Sequence, residues 1–469
     1  MMSKKKKIFD TLIVGSGLSS LFFIESYLKR NKKINVLSFE NKKINFIKKY
    51  NKHIFKILPP QMLGSENQVN NYFFLNKIKV NPESNYFGSL EFGGLSNYWG
   101  LQIDKNITQD ISHLKKKTQL KILKSFKEIF KNCNLIGGID NKNQNLYERN
   151  EYISENFIKT QKNLIYEEPI LGYQKKSREK IKLNKINEKK DKLTPYNFIK
   201  KKIDQKKIIF HNYFVKNIKN HKYGVLLNCS NGVEDRIFIT KKLILGCGTL
   251  ITTKLIMDYL NIEKEVKINH HPRLFSLYIS KTKWKNNMKF QPSHLHLKYK
   301  KKPSLFTADF RPGNKSIIDA VIKFKKILKP FKFVINMFRE HLIFSNIFLE
   351  PKYGNLFIKK KKNFHEIYSK KKNIDKIFKF SSKLVYDSLI NSKKIFRFFY
   401  NYFPGFGADF HYFGTIPMEG SGKLSVNDKC QLKKNKNIYI IDGSVLNFKK
   451  NKYPLGLTIA NSRRIGKEI

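Results

Sequence analysis

Apolar residues along this chain fall into short runs separated by polar turns, and the first of these is the most regular. Thr11 to Val14 is an apolar run that stops at Gly15-Ser16-Gly17. Leu18, Leu21, Phe22 and Leu28 then recur at helical spacing, as one buried face would require. A second run, Ile34 to Phe39, ends on the acid Glu40. Strand, Gly-rich turn, helix, strand and acid in this order predict a dinucleotide-binding βαβ unit. Gly15 allows the tight turn and Gly17 lets backbone approach a pyrophosphate. Leu18 and Ser19 open the helix whose positive end faces that group. Ser20 stands where a third small residue permits helix–strand packing. Glu40, 23 residues beyond Gly17, is placed to bind a ribose hydroxyl.

Further along, the segment from Glu66 to Gly100 is irregular and turn-rich and leads into SLEFGGLSNYWG. A strand is predicted over 208–215. A hairpin follows in GVLLNCSNGVEDRIFIT, with Asn231-Gly232 as its turn. A buried strand over 242–245 meets Gly246-Cys247-Gly248 and a helix over 253–260. Beyond Pro272, alternating strands over 274–279, 294–299 and 305–310 precede a long, basic, helix-like region rich in phenylalanine from Ile317 to Phe348. Strands over 347–350 and 355–359, a helix over 374–390, strand–turn signals from Gly407 onward and a closing helix from Leu457 complete the pattern. Lys-rich stretches at 115–117, 175–190 and 359–362 read as loops. Two interleaved units result. Residues 1–110, 200–273 and 405–469 form a nucleotide-binding α/β domain, and 111–199 with 274–404 form an inserted, mainly antiparallel domain.

The 469 residues are ample for a deep core. A formal charge of +57 suggests a polyanionic partner. However, only 10 of the 93 basic residues are Arg, and the lysines are spread over the whole length together with Asn, Ile, Phe and Tyr. Residues sharing A/T-rich codons explain that mixture without a ligand, so sequence-specific nucleic-acid binding is not expected; an anionic surface remains the alternative. Four scattered cysteines imply neither a disulfide framework nor a zinc site. No metal site is expected at His270-His271 either, because adjacent side chains on a strand point apart. No run of about 18 apolar residues is present, so no transmembrane helix is expected, and the default location is cytoplasmic.

Four segments, taken in order, resemble the glucose-methanol-choline (GMC) oxidoreductases: VGSGLSS near the start, GGLSNYWG at 93–100, KLILGCGTLITTKLI at 242–256, and HYFGTIPM with IYIIDGS and LGLTIANSRRIG at the end. The likeness covers about half of the chain. It implies an α/β plus β fold, with an FAD-binding Rossmann-like domain and an inserted antiparallel substrate domain flanked by helices. It also implies FAD as cofactor and an alcohol, sugar or glycan as substrate, and leaves the electron acceptor open. Gly93 and Gly94 would pass close to the flavin, with Ser96 and Asn97 donating hydrogen bonds and Trp99 walling the ring. Val215 would contact adenine through its backbone. Gly246 marks the second crossing near the cofactor, with Cys247 read as packing. Asp442 and Gly443 would hold the ribityl–pyrophosphate region, and Thr458 lies on the last cofactor-facing helix.

His411 is the candidate base of that resemblance, since hydride loss from a carbinol carbon requires removal of the hydroxyl proton and a neutral imidazole suits that task. The family's second His or Asn is missing: Pro454 and Leu455 occupy the aligned positions. Asn451 and Tyr453 are the nearby candidates to compensate. Two other readings compete. One is a different flavin or NAD enzyme sharing only the N-terminal fingerprint; the other is a non-enzymatic basic protein binding anionic polymers.

Overall fold

The computed structural model describes residues 7–40, 58, 60–81, 84–100, 102–104, 107–133, 135–136, 164–167, 170–174, 192–283, 295–299, 301, 306–391, 395–448 and 452–469. The fold is mixed α/β. Its centre is a parallel sheet in the spatial order Asn435–Ile440, Asp235–Leu245, Ile8–Val14, Ile34–Leu37, Ile208–His211. Leu12, Leu243 and Ile438 stand side by side across three of these strands and are all fully buried. A parallel sheet covered on both faces needs unbroken apolar runs rather than alternation, as these strands have. The expected hairpin is present: Phe214–His221 pairs with Gly224–Ser230, which pairs in turn with the outer half of Asp235–Leu245. Its turn holds Gly232 at φ +88°, while the Asn231 side chain accepts from the N–H groups of Val233 and Glu234.

The first helix, Leu18–Tyr27, lies against the last, Leu455–Glu468. Ser26 Oγ donates to the Arg463 carbonyl at 2.9 Å, and a Cβ on Gly466 would collide with the Phe23 carbonyl. Arg463 is buried between them, with Nη1 2.5 Å from Glu25 Oε2 and Nε 3.3 Å from Glu128 Oε2 on the helix Lys116–Cys133. A second, six-stranded sheet is antiparallel throughout. Its order is Ile395–Tyr402, Arg273–Ser280, Leu342–Leu349, Phe306–Pro312, Leu295–Tyr299, Leu164–Glu167. The strand Ile78–Val80 joins Val266–Ile268, Leu356–Lys360 and His365–Ser369 in a separate small sheet.

Four local expectations change. Glu66–Gly100 is not irregular throughout but holds the helix Glu66–Leu75, where burial of Val69, Tyr72 and Phe73 overrides two poor helix formers, Asn70 and Asn71. Lys116 and Lys117 open an 18-residue helix instead of a loop, because Ile122, Phe126 and Ile129 give it a buried face that the lysines leave free. The helix expected over 253–260 begins earlier, as Thr249–Tyr259, directly after Gly248 at φ +87°. The long basic region is not one helix: Lys315–Phe324 ends before Pro330, a short helix Lys332–Met337 follows, and Leu342–Leu349 is a strand. The Lys-rich stretch 175–190 lies outside the described residues.

At Gly15 the backbone conformation requires a glycine. Its φ is +108°, and a Cβ there would overlap the Gly246 carbonyl. Gly15→Ala should therefore lower stability by roughly 2–4 kcal/mol, read as a fall in Tm, since left-handed strain and a backbone clash add. An unchanged Tm would contradict this tight crossing.

Candidate active site

The ends of the parallel strands open into one cavity of about 520 Å³. The fingerprint turn forms part of its wall. Gly15 N–H donates to the Leu37 carbonyl at 2.9 Å, and Gly246 N–H to the Val14 carbonyl at 2.9 Å, so three strands end at one level. Ser16 Oγ lies 2.9 Å from Ser38 Oγ and accepts from Gly93 N–H at 3.0 Å, which ties the loop at 93–97 onto the turn. That loop holds Gly93 at φ +95° and Gly94 at φ +56°, with Ser96 Oγ donating to the Gly93 carbonyl.

Three helices start at this cavity: Leu18–Tyr27 after Gly17, Thr249–Tyr259 after Gly248, and Leu455–Glu468 after Pro454. None has a side-chain cap on its first N–H groups. Their exposed donors and dipoles favour an anion there. A Cβ on Gly17 would meet only the Gly93 carbonyl, at 3.7 Å. Packing within the protein does not demand a glycine here, and the bare backbone leaves room for a ligand to approach closely. Trp99 Nε1, in the same wall, is buried without a hydrogen-bond partner. These features fit a dinucleotide with a pyrophosphate at the turn.

Asp442 organises the opposite wall. Oδ2 accepts from Gly248 N–H at 3.0 Å and Thr252 Oγ1 at 2.5 Å, while Oδ1 accepts from Ser444 N–H at 3.0 Å and Ser444 Oγ at 2.5 Å. Burial pushes its carboxyl above the usual range, against the pull of these bonds. These four carboxylate bonds are internal and position Gly443 and Gly248, while Asp442 itself borders the cavity. From Gly443 onward the chain runs beside the segment carrying His411, with Gly414 N–H donating to Gly443 O and Ile416 N–H to Ser444 O.

His411 sits in a cluster of rings. Phe348 stacks on it at 5.2 Å, and Tyr453 meets it edge-on at 6.2 Å. Its backbone N–H donates to Asp409 Oδ1 at 3.0 Å, and the residue between, Phe410, is held at φ +66°. His271 Nε2 lies 2.9 Å from the Phe448 carbonyl, which can only accept, so that nitrogen carries the proton. Burial keeps His271 well below the usual imidazole range and hence neutral. Its Nδ1 is then an acceptor, and His411 Nδ1, 3.4 Å away, is the donor. This leaves the lone pair of His411 on Nε2. Burial also lowers His411, to about 4, although Asp409 pulls the other way. Burial would push Asp409 up, but the His270 ring, with Nδ1 2.6 Å from Asp409 Oδ2, outweighs it and holds the carboxyl low.

Of the residues singled out from sequence, Gly15, Gly17, Leu18, Ser19, Gly93, Gly94, Ser96, Trp99, Val215, Gly246, Asp442, Gly443, Thr458, His411 and Tyr453 all border this one cavity. Three do not. Ser20 is fully buried with its hydroxyl on the Gly246 carbonyl at 3.4 Å, so it serves helix–strand packing. Asn97 turns inward and donates to the Phe92 carbonyl at 2.8 Å, bracing the Gly93 turn. Glu40 stands beside the wall residue Phe39, with its N–H on Asn212 Oδ1 at 2.8 Å. Asn451 lies outside the described residues. Sequence reasoning missed Asp409 and Arg273. Asp409, two residues before His411, was readable as an Asp-x-His spacing; Arg273 carried no local signal.

No protein-family model matches this chain, and no curated protein matches it. Among solved structures, pyridoxine 4-oxidase from Mesorbium loti aligns with a TM-score of 0.62 over 98% of this chain and 99% of its own, at 11% identity. The likeness is one of architecture, and it extends from end to end.

Proposed function

We propose that this protein is an FAD-dependent oxidoreductase that oxidises a CH–OH group of an alcohol or sugar, with His411 as the general base. The observation that carries this reading is the shared cavity: the fingerprint turn at the start of the chain and a neutral imidazole near its end face the same space. The whole-length architectural likeness to an oxidase supports it. Backbone N–H groups at Gly17, Leu18 and Ser19 would hold the pyrophosphate, Glu40 a ribose, and Val215 the adenine. Gly93, Gly94, Ser96, Trp99, Gly246, Gly443 and the helix end carrying Thr458 would surround the rest. When bound, the flavin supplies an acceptor for the hydride lost by the carbinol carbon. His411 takes the hydroxyl proton on Nε2, with its tautomer set by His271. Phe348 and Tyr453 fix the ring plane and keep water from it. Tyr453 stands where the family's second polar residue is lacking.

An absorption spectrum of the purified protein, followed by anaerobic titration with alcohols and sugars, tests the reading. A yellow protein bleached by one class is the expected result; a colourless protein, or a flavin that no such compound reduces, would end it. His411→Gln should slow that bleaching about 10²- to 10⁴-fold while retaining flavin; an unchanged rate removes His411 from catalysis. The pH profile offers a separate check. Because burial lowers the folded pKa of His411, the base is present above about 4 and lost as pH falls through it. The acidic limb of the reduction rate should turn near that value, and a limb near about 6.5 would contradict the buried geometry.

A further inference from the structure

Arg273 is a buried cation in the cavity wall whose side chain makes no hydrogen bond among the described residues. It opens the strand Arg273–Ser280, is 9% exposed and lines the cavity. Its guanidinium lies over the Phe275 ring at 4.3 Å and the Phe410 ring at 5.5 Å. Nε is buried without a partner. The two carboxylates that oppose its charge are both engaged elsewhere. Asp309 accepts from Arg311 Nη2 at 3.0 Å, Gln102 Nε2 at 3.3 Å, and Asn346 through N–H at 3.0 Å and Nδ2 at 2.7 Å. Asp409 accepts from His270, from His271 N–H and from His411 N–H. Arg311 also lines the cavity, and its Nε is likewise unpartnered.

We infer that the substrate carries an oxyanion, a carboxylate or a phosphate, and that Arg273 with Arg311 binds it beside His411. A guanidinium presents five donors in a planar fork matched to such a group. Leaving the buried Nε donors unbonded is costly, and aromatic faces recover only part of the loss. Position agrees: the guanidinium faces the ring of Phe410, the residue before His411, and Arg273 follows by two residues the His271 that contacts His411. Only 10 arginines occur in the chain, and two border this space. The pyrophosphate of a dinucleotide is not the ligand meant, since the three uncapped helix ends already supply its donors. This inference rests on the oxidoreductase reading and narrows its substrates to hydroxy acids or phosphorylated alcohols.

The test separates the two. Calorimetric titration of the purified holoprotein with malonate, with inorganic phosphate and with neutral malonamide needs no turnover, and about 0.3 M NaCl screens the basic surface. One of the two anions should bind at a single site at least about tenfold tighter than malonamide, and which one does so identifies the group. Arg273→Gln should abolish that preference, Arg273→Lys should keep part of it, and Lys329→Gln, on the exposed surface, should leave it intact. In turnover, D-glycerate or glycerol 3-phosphate should show a KM at least about tenfold below that of glycerol. Equal affinities for the charged and neutral probes in the wild type overturn the inference even if no variant folds. So does an Arg273→Gln protein that sheds flavin but keeps the preference. Anion binding without any flavin bleaching would sustain the anion site and defeat the oxidase reading; bleaching by neutral alcohols alone would do the reverse.

Discussion

The contact between the first and last helices is the constraint on which the cavity depends. Gly466 lies where any side chain would strike the backbone at Phe23, and Ser26 and Ser462 each donate across the interface, to the carbonyls of Arg463 and Ser19. Small residues bring the two backbones together, and the buried Arg463 fixes the register by bonding the half-buried Glu25 and Glu128. Ion pairs of this kind add little net stability over an apolar filling, but their geometry admits few alternatives. The start of the last helix then falls at the same level as the start of the first. Tyr453, Pro454 and Thr458 face the glycine turn as a consequence.

Asp442 performs the same service at shorter range. It joins the end of one strand, Asn435–Ile440, to the start of the helix Thr249–Tyr259, and its neighbours carry the backbone ladder that sets residues 414–418 in place. A carboxylate with four internal donors is satisfied as it stands, even though burial raises its pKa. A similar arrangement holds around His411: His270 and Asp409 hold the backbone, and His271 sets the tautomer that leaves the lone pair on Nε2. Two neighbouring histidines in the connection between Val266–Ile268 and Arg273–Ser280 thus bond in different directions, His270 to Asp409 and His271 to the Phe448 carbonyl.

Segments whose chemistry is local were legible. The glycine turn, the hairpin at Asn231-Gly232 and the unbroken apolar strands each follow from backbone sterics and burial within a few residues, and each is where the pattern placed it. Positions that depend on a distant partner were read less well. Ser20 packs between helix and strand as its size suggests, whereas Asn97, with the right chemistry to touch a ligand, is turned to the Phe92 carbonyl by the fold of its loop. The phenylalanine-rich stretch carried Pro330 as a break, but its apolar positions did not mark where the strand Leu342–Leu349 begins. Its strand exists because Arg273–Ser280 and Phe306–Pro312 provide edges on both sides.

The amino-acid order alone determined that a strand, a glycine turn and a helix follow one another from Ile8 to Tyr27, and that an α/β sheet surrounds them. Those properties come from short-range periodicity and turn chemistry. Only the tertiary structure decided which side chains share a volume. It brought His271 to His411 across 140 positions and left Arg273 facing the cavity with both nearby carboxylates already bonded. Hydrogen-bond supply and demand in a buried space is a property of the whole packing arrangement, and no window along the chain contains it.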